Sequence, residues 1–342
     1  MFLIDKYRPT VKENIFFHKE LIELLDIMSK DEAIPHIIFY GPEGSGKKTM
    51  IRLFLEMLFD SSVHRTVDVP YKVSGSTSKN KVEKIKQSNY HIVINPKNNN
   101  YDRYLIHDIV KEYAKRKSLG AYKTDRSFKV VSINNLDNMS YYAQTALRRT
   151  MERYDKCRFV MWCKSLSKVI KPLQSRCICL RIPAPNDIEL FRYVIRIAGK
   201  EGIVLSLDQY VDIVKKSNGD IKRALWELEF YRFNYKINTD YYESLEKIMV
   251  LVLEPKLRNM IEIRNIIFNL MITNFDGTTI MRDLMDYVCM NNKITDAAKQ
   301  KIIHESSEIE YQLVKSRRKI FQFDALISTI MTVLHDQKGL IK

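Results

Sequence analysis

Gly41-Pro42-Glu43-Gly44-Ser45-Gly46-Lys47-Lys48-Thr49 follows a short apolar run, Ile37-Ile38-Phe39-Tyr40. It precedes a stretch in which Ile51, Leu53, Phe54, Leu55 and Leu58 recur at helical spacing. Strand, glycine-rich turn and helix N-terminus in that order are the setting of a phosphate-binding loop. The glycines let the backbone curl until successive N–H groups point at a phosphate. Lys47 then lies against the terminal phosphates with the helix dipole behind it. Three glycines among nine residues, a lysine at the right offset and the right flanks set this stretch apart from a plain turn. One position departs from the general pattern G-x-x-x-x-G-K-[ST]. Lys48 stands where a hydroxyl would ligate Mg²⁺, and Thr49 leaves the helix about 100° further round.

The chain of 342 residues is long enough for two or three domains. A formal charge of +15 points to a polyanionic partner without bearing on fold. Five cysteines, scattered and odd in number, give neither a disulfide framework nor a zinc signature. Cys157, Cys163, Cys177 and Cys179 sit in apolar runs and read as reduced core thiols. No signal peptide is legible, and no apolar run reaches the ~18 residues of a membrane span. A soluble intracellular protein is expected.

Further along, Lys19–Met28 reads as an amphipathic helix that covers either a nucleotide's base edge or the flank of a sheet. Val67–Lys81 reads as a hairpin or an exposed excursion. Strands are expected at His91–Pro96, Phe128–Ile133, Arg158–Cys163 and Cys177–Ile182, with helices at Asp102–Lys117 and Tyr141–Tyr154 between them. Apolar strands alternating with helices predict a parallel sheet covered on both faces. From Asp187 the period is helical: 187–201, 206–217 and 221–232, then five helices across 244–334. The expected division is 1–186 for the α/β nucleotide-binding domain, 187–240 for a small helical domain and 241–342 for an all-α domain.

In P-loop ATPases a strand across the sheet ends in an Asp that orients Mg²⁺ and a Glu that polarises water. Here the strand runs into Asn134-Asn135-Leu136-Asp137. An amide supplies no anionic ligand and accepts no proton at neutral pH. Lys48, Asn134 and Asn135 together remove the hydroxyl ligand, the carboxylate ligand and the base, so hydrolysis at this site is not expected. Lys48 either stands in for part of the metal's charge or is an ordinary exposed helix lysine.

Asp5-Lys6-Tyr7-Arg8-Pro9, Gly41–Thr49, Ala146-Leu147-Arg148-Arg149-Thr150-Met151-Glu152, Ser175-Arg176-Cys177 and Gly219-Asp220-Ile221-Lys222-Arg223-Ala224 occur in that order. Together they resemble the small subunits of replication factor C, the sliding-clamp loader of the AAA+ class. Lys47-Lys48, Ser88-Asn89-Tyr90-His91 and Asn95-Pro96 are most similar to the branch called subunit 3 in human and subunit 5 in yeast nomenclature. The resemblance implies a nucleotide-binding domain, a helical lid and a C-terminal collar that assembles a hetero-oligomer, a pentamer in this family. It implies other replication factor C subunits, the PCNA clamp and primer–template DNA as partners. ATP or ADP is the implied cofactor, held with or without Mg²⁺, and no metal site is read from the chain itself. The implied compartment is the nucleus, with a cytoplasmic site of viral replication as the alternative.

Residue roles follow by position. Arg176 matches the arginine that reaches a neighbouring subunit's ATP. Arg148 and Arg149 lie in the helix that faces DNA; they either contact phosphates, hold a subunit contact or form a solvated face. Lys164 occupies the place of an Asn that senses the terminal phosphate, and Lys222 that of the lid's sensor arginine. Acceptor positions are degraded while the donated Arg176 survives, which suits a subunit that completes its neighbour's site. A stand-alone AAA+ DNA-associated ATPase and a scaffold that binds neither nucleotide nor DNA are the competing readings.

Overall fold

The apolar run before the loop is β1, His36–Tyr40, with Ile37, Ile38 and Phe39 fully buried. In the computed structural model, which describes residues 1–73, 81–96, 102–115, 128–154, 156–233, 240–254, 256–273, 276–292, 294–316 and 318–340, two units are distinguished, Met1–Lys236 and Ile237–Lys342.

In the first unit β1 lies inside a seven-stranded sheet. The other strands are β2 (Val67–Val73), β3 (Lys81–Gln87), β4 (His91–Ile94), β5 (Lys129–Ile133), β6 (Cys157–Cys163) and β7 (Cys177–Arg181). Their spatial order is β2-β3-β4-β5-β6-β1-β7. From β4 to β7 every pairing is parallel, whereas β2 and β3 pair antiparallel with each other and β3 antiparallel with β4. The Val67–Lys81 region thus opens into a hairpin whose return strand is Lys81–Gln87; its tip, 74–80, lies outside the described residues. That return strand carries lysines at 81, 84 and 86 and buries Ile85, too little apolar signal to announce a strand.

Side chains alternate across the parallel strands. Ile37, Phe39, Val130, Val160 and Trp162 face one core with α2 (Lys19–Lys30) and α3 (Lys47–Leu58). Ile38, Val131, Ile133, Phe159, Met161 and Cys163 face the other with α4 (Asp102–Lys115) and α5 (Tyr141–Arg153). Burial on both faces explains the near-continuous apolar runs. Cys157 and Cys163 are buried, and burial pushes their thiols up to about 11 and about 12. Cys177 and Cys179 are only half-buried, because β7 is the sheet's edge.

After β7 come α7 (Asp187–Glu201), α8 (Leu207–Ser217) and α9 (Ile221–Arg232). Asn186 with Glu189, and Ser206 with Gln209, close capping boxes on the first two. Asp220 accepts from the N–H groups of Lys222 (2.8 Å) and Arg223 (3.2 Å) to start the third. Their core also contains Leu3, which is fully buried in α1 (Leu3–Lys6), a helix not expected from the sequence. The Leu3 N–H donates to Glu229 at 2.6 Å, and the Tyr7 hydroxyl donates to Glu201 at 2.6 Å.

The second unit is helical: α10 (Asp240–Leu253), α11 (Leu257–Ile272), α12 (Gly277–Met290), α13 (Asp296–Lys315) and α14 (Lys319–Leu340) around one apolar core. Its first helix begins before the expected Ser244 and its last runs past the expected Leu334. No helix among the described residues is long and apolar enough to cross a membrane.

Two histidines in the sheet unit make stability depend on pH. Burial pulls His91 down to about 4, and it pulls His36, beside Arg158, to the same value. Both are neutral in the fold. The unfolded chain takes up protons from about pH 6.5 downward and the native one only near 4, so stability present above 6.5 is lost as pH falls toward 4. His91 contributes at most about 3 kcal/mol to that loss. The melting temperature should fall steeply between pH 7 and pH 4.5, and His91→Gln should flatten the slope; a slope unchanged by that substitution would refute the assignment.

Candidate nucleotide site

The parallel register brings several strand ends to one edge. Tyr40 pairs with Cys163 and with Arg181, and Ile133 pairs with Met161, so Gly41, Asn134 and Lys164 emerge together. β1 lies where the chain order along the sheet reverses, between β6 and β7, and ligands of open α/β sheets bind at such switch points.

The loop itself leaves no room for side chains at two of its glycines. A Cβ on Gly44, whose φ is +68°, would lie 1.8 Å from Asp220 Oδ1. One on Gly41 would lie 1.9 Å from the Ile182 carbonyl oxygen. The Lys47 ammonium turns back over the loop, donating to the carbonyls of Gly41 at 2.7 Å and of Pro42. Burial pushes the Lys47 amine below the ordinary lysine value, with Glu43 and Asp137 opposing and Lys222 adding to the effect. Lys48 is lowered as well, first by burial and then by repulsion from Lys222, Arg8 and Arg52. This concentration of cations is what a polyanionic ligand would relieve.

Next to the loop a cleft, partly open to solvent, is walled by Tyr7, Phe16, Phe17 and Tyr193. Gly44, Ser45, Gly46, Thr49 and Lys222 form its polar end. His18 stands at φ +59° and also lines the cleft; its Nε2 is buried without a partner. An aromatic cleft ending in a cationic loop fits a nucleotide, base in the cleft and phosphates at the loop.

The second box sits beside it. Asn134 accepts from Trp162 Nε1 at 2.7 Å through Oδ1 and donates to Asn95 Oδ1 at 2.6 Å through Nδ2. Both arms of the amide face neutral groups. Asn135 takes the left-handed conformation, φ +49°, which an Asn tolerates. Asp137 accepts from the Lys164 N–H at 3.1 Å, and its other oxygen is buried without a partner. The Lys164 ammonium pairs with Glu43 of the loop. No cluster of three or more metal-ligating side chains occurs among the described residues. Sequence reasoning passed over His18 and Trp162, and noted Asn95 only as part of the resemblance, not as a partner of Asn134. Strand parity was the available signal for Trp162, since it shares a face with Val160 and with the loop helix.

Arg176 is elsewhere. It immediately precedes β7, at the end where Cys177 pairs with His36, whereas the loop follows Tyr40. About 13 Å of strand separates the two edges. Its guanidinium is held by Glu152, with Nε at 2.8 Å and Nη2 at 2.6 Å from one carboxylate oxygen, and Nη1 donates to the Pro172 carbonyl at 2.8 Å. The side chain remains 38% exposed, so it is anchored yet open to an incoming group. On α5, Arg149 is exposed, while Arg148 is half-buried with Nε lacking a partner.

Residues 17–186 match the family model of the DNA polymerase III delta subunit, and 246–338 match that of the replication factor C subunit 3 C-terminal domain. A putative replication factor C small subunit of Acanthamoeba polyphaga mimivirus is 37% identical over 98% of this chain and 91% of its own. A probable replication factor C subunit 3 of Dictyostelium discoideum is 32% identical, covering 97% and 98%. Subunit 5 of Saccharomyces cerevisiae is 30% identical, covering 97% and 99%. The chain belongs to the replication factor C small subunits. It is therefore a clamp-loader subunit with an AAA+ fold followed by a helical C-terminal region. Membership carries ATP binding in general, a place in a multi-subunit complex acting on DNA, and a nuclear replication setting.

Gly44→Ala tests the loop's packing against the lid. The new methyl would displace the carboxylate that caps α9 or force the loop open, at a cost of about 1–3 kcal/mol. A fall of several degrees in melting temperature is expected, and a neutral substitution would contradict the close approach.

Proposed function

We propose that this subunit holds ATP or ADP at a site that does not hydrolyse it, and completes the ATP site of a neighbouring subunit with Arg176. One observation carries the reading: Arg176 is anchored on the sheet edge opposite its own loop, out of reach of phosphates bound there. The group a hydrolysing site gives away is in place, while the groups such a site keeps for itself are replaced. Asn134 has no charge to offer a metal, Asn135 cannot accept a proton, and Lys164 and Lys222 supply cations where a sensing amide and a planar guanidinium would be expected. Lys47, Lys48 and Lys222 neutralise phosphate charge directly, which makes binding only weakly dependent on Mg²⁺.

In the neighbour's site Arg176 would donate to oxygens that gain negative charge during phosphoryl transfer. Glu152 and the Pro172 carbonyl hold the guanidinium beforehand, so little ordering is left to be done when the interface forms. The partners are the other replication factor C subunits in a pentamer, the PCNA clamp and primer–template DNA. Arg148 and Arg149 are the proposed backbone contacts, which position DNA without reading bases. The nucleus is the proposed compartment. A cytoplasmic site of viral replication is the alternative, supported by the mimivirus relative.

Reconstitution of the loader with its other subunits tests the asymmetry. Arg176→Ala should slow the clamp- and DNA-stimulated turnover of the neighbouring site by about 10³-fold or more, as loss of an arginine finger does. Lys47→Ala should do much less, and equal losses would overturn the proposal. Arg148→Ala and Arg149→Ala should each lower the slope of log affinity against log salt by about 1 for every DNA phosphate left without its arginine. Slopes identical to wild type would remove them as DNA-binding residues.

A further inference from the structure

We infer that Trp162 is the positioning residue of the nucleotide site, its indole face seating the Lys47 and Lys48 ammonium groups against the phosphates where other P-loop sites place a hydroxyl and a metal. The inference rests on the proposed non-hydrolysing, weakly Mg²⁺-dependent site and names the residue that makes such a site workable.

Both lysine Nζ atoms lie 5.4 Å from the centre of the Trp162 ring, within the range at which an aromatic quadrupole attracts a cation. The ring is only 7% exposed and belongs to the core that includes the loop helix. Its orientation is fixed at the ring edge, because Nε1 donates to Asn134 and Asn134 in turn to Asn95. The chain Asn95–Asn134–Trp162–Lys48 thus connects the degraded second box to the lysine that replaced the hydroxyl.

The charges explain why a platform is needed. The Lys48 ammonium is partly desolvated and repelled by Lys222, Arg8 and Arg52. Left to itself, its flexible stem would carry the ammonium into solvent. Leucine or isoleucine at 162 would fill the strand position and offer neither an electron-rich face nor a donor for Asn134. Tryptophan offers both and has the strongest face for a cation. Lys48, Asn134 and Trp162 therefore act as a set, in which metal coordination is replaced by two ammonium groups on one ring. The ligand class that follows is a nucleoside di- or triphosphate bound as the free anion.

The test uses the full-length chain, titrated with ADP and ATP in chelator and in Mg²⁺, with affinity read by calorimetry. Trp162→Leu should weaken binding in chelator by about tenfold or more, and Trp162→Phe, which keeps the ring face and loses the donor, by only about two- to threefold. Lys48→Ala should weaken binding clearly in the wild type and hardly at all in Trp162→Leu, since the two would act as one unit. A second readout is spectroscopic and does not depend on the Leu variant folding. The chain has two tryptophans, so Trp226→Phe leaves Trp162 as the emitter. Nucleotide should change its emission, and Lys48→Ala should diminish that change. Binding in chelator that is indifferent to Trp162→Leu, additive losses from the two substitutions, or silent emission would overturn this inference alone. Binding that requires Mg²⁺ in the wild type would overturn the proposed site and this inference with it.

Discussion

The parallel pairing of β1 with β6 on one side and β7 on the other decides where everything else in the sheet unit falls. With Tyr40 level with Cys163 and Arg181, the loop, the end of β6 and the start of the lid segment leave the sheet at one edge. The same register puts Arg176 at the other edge. A slip of one residue would turn Trp162 toward the α4–α5 core and carry Cys163 to the α2–α3 side. Such a slip is strongly opposed, because both faces of these strands are buried and each side chain has a place in one of two cores. Site geometry is thus a consequence of sheet packing rather than of loop conformation alone.

The N-terminal segment adds a second constraint. Leu3 belongs to the lid's core, Tyr7 and Arg8 line the cleft, and α2 packs on the sheet beside the loop helix. One short stretch therefore touches the α7–α9 helices, the cleft and the sheet. Its anchors are carboxylates on the lid: Glu229 takes the Leu3 N–H, and Glu201 takes the Tyr7 hydroxyl and the Lys6 ammonium. Glu229 is 3% exposed, and leaving a buried carboxylate without its donor costs more than the net contribution of the bond. The segment is held in place by α7 and α9.

What could be read from the sequence followed from signal strength. The long apolar strands and the periodic helices of the second unit were legible because burial dictates their composition. The loop was legible because backbone curvature and phosphate contact demand glycine and lysine at fixed offsets. The strand Lys81–Gln87 was not, since an outer strand buries few side chains; α1 was not, since a four-residue helix with one buried leucine carries no period. At the site, Lys48, Asn134, Asn135, Lys164 and Lys222 could be named from position alone. Their partners could not. That both arms of Asn134 are engaged by Trp162 and Asn95, and that Lys164 turns to Glu43, depends on contacts between strands that spacing along the chain does not encode.

Lys47 and Arg176 differ in how far their charges are committed to the fold. Lys47 is 5% exposed and buried against its own loop's carbonyls, so its charge serves whatever lies in that loop. Arg176 is anchored by Glu152 and the Pro172 carbonyl yet keeps over a third of its side chain open. A guanidinium with five donors can satisfy such an anchor and still have N–H groups for a second anion. Lysine at 176 could not do both from a rigid plane. In the proposed role an incoming phosphate would accept from the remaining N–H groups of the guanidinium, so Glu152 would orient Arg176 without withholding it.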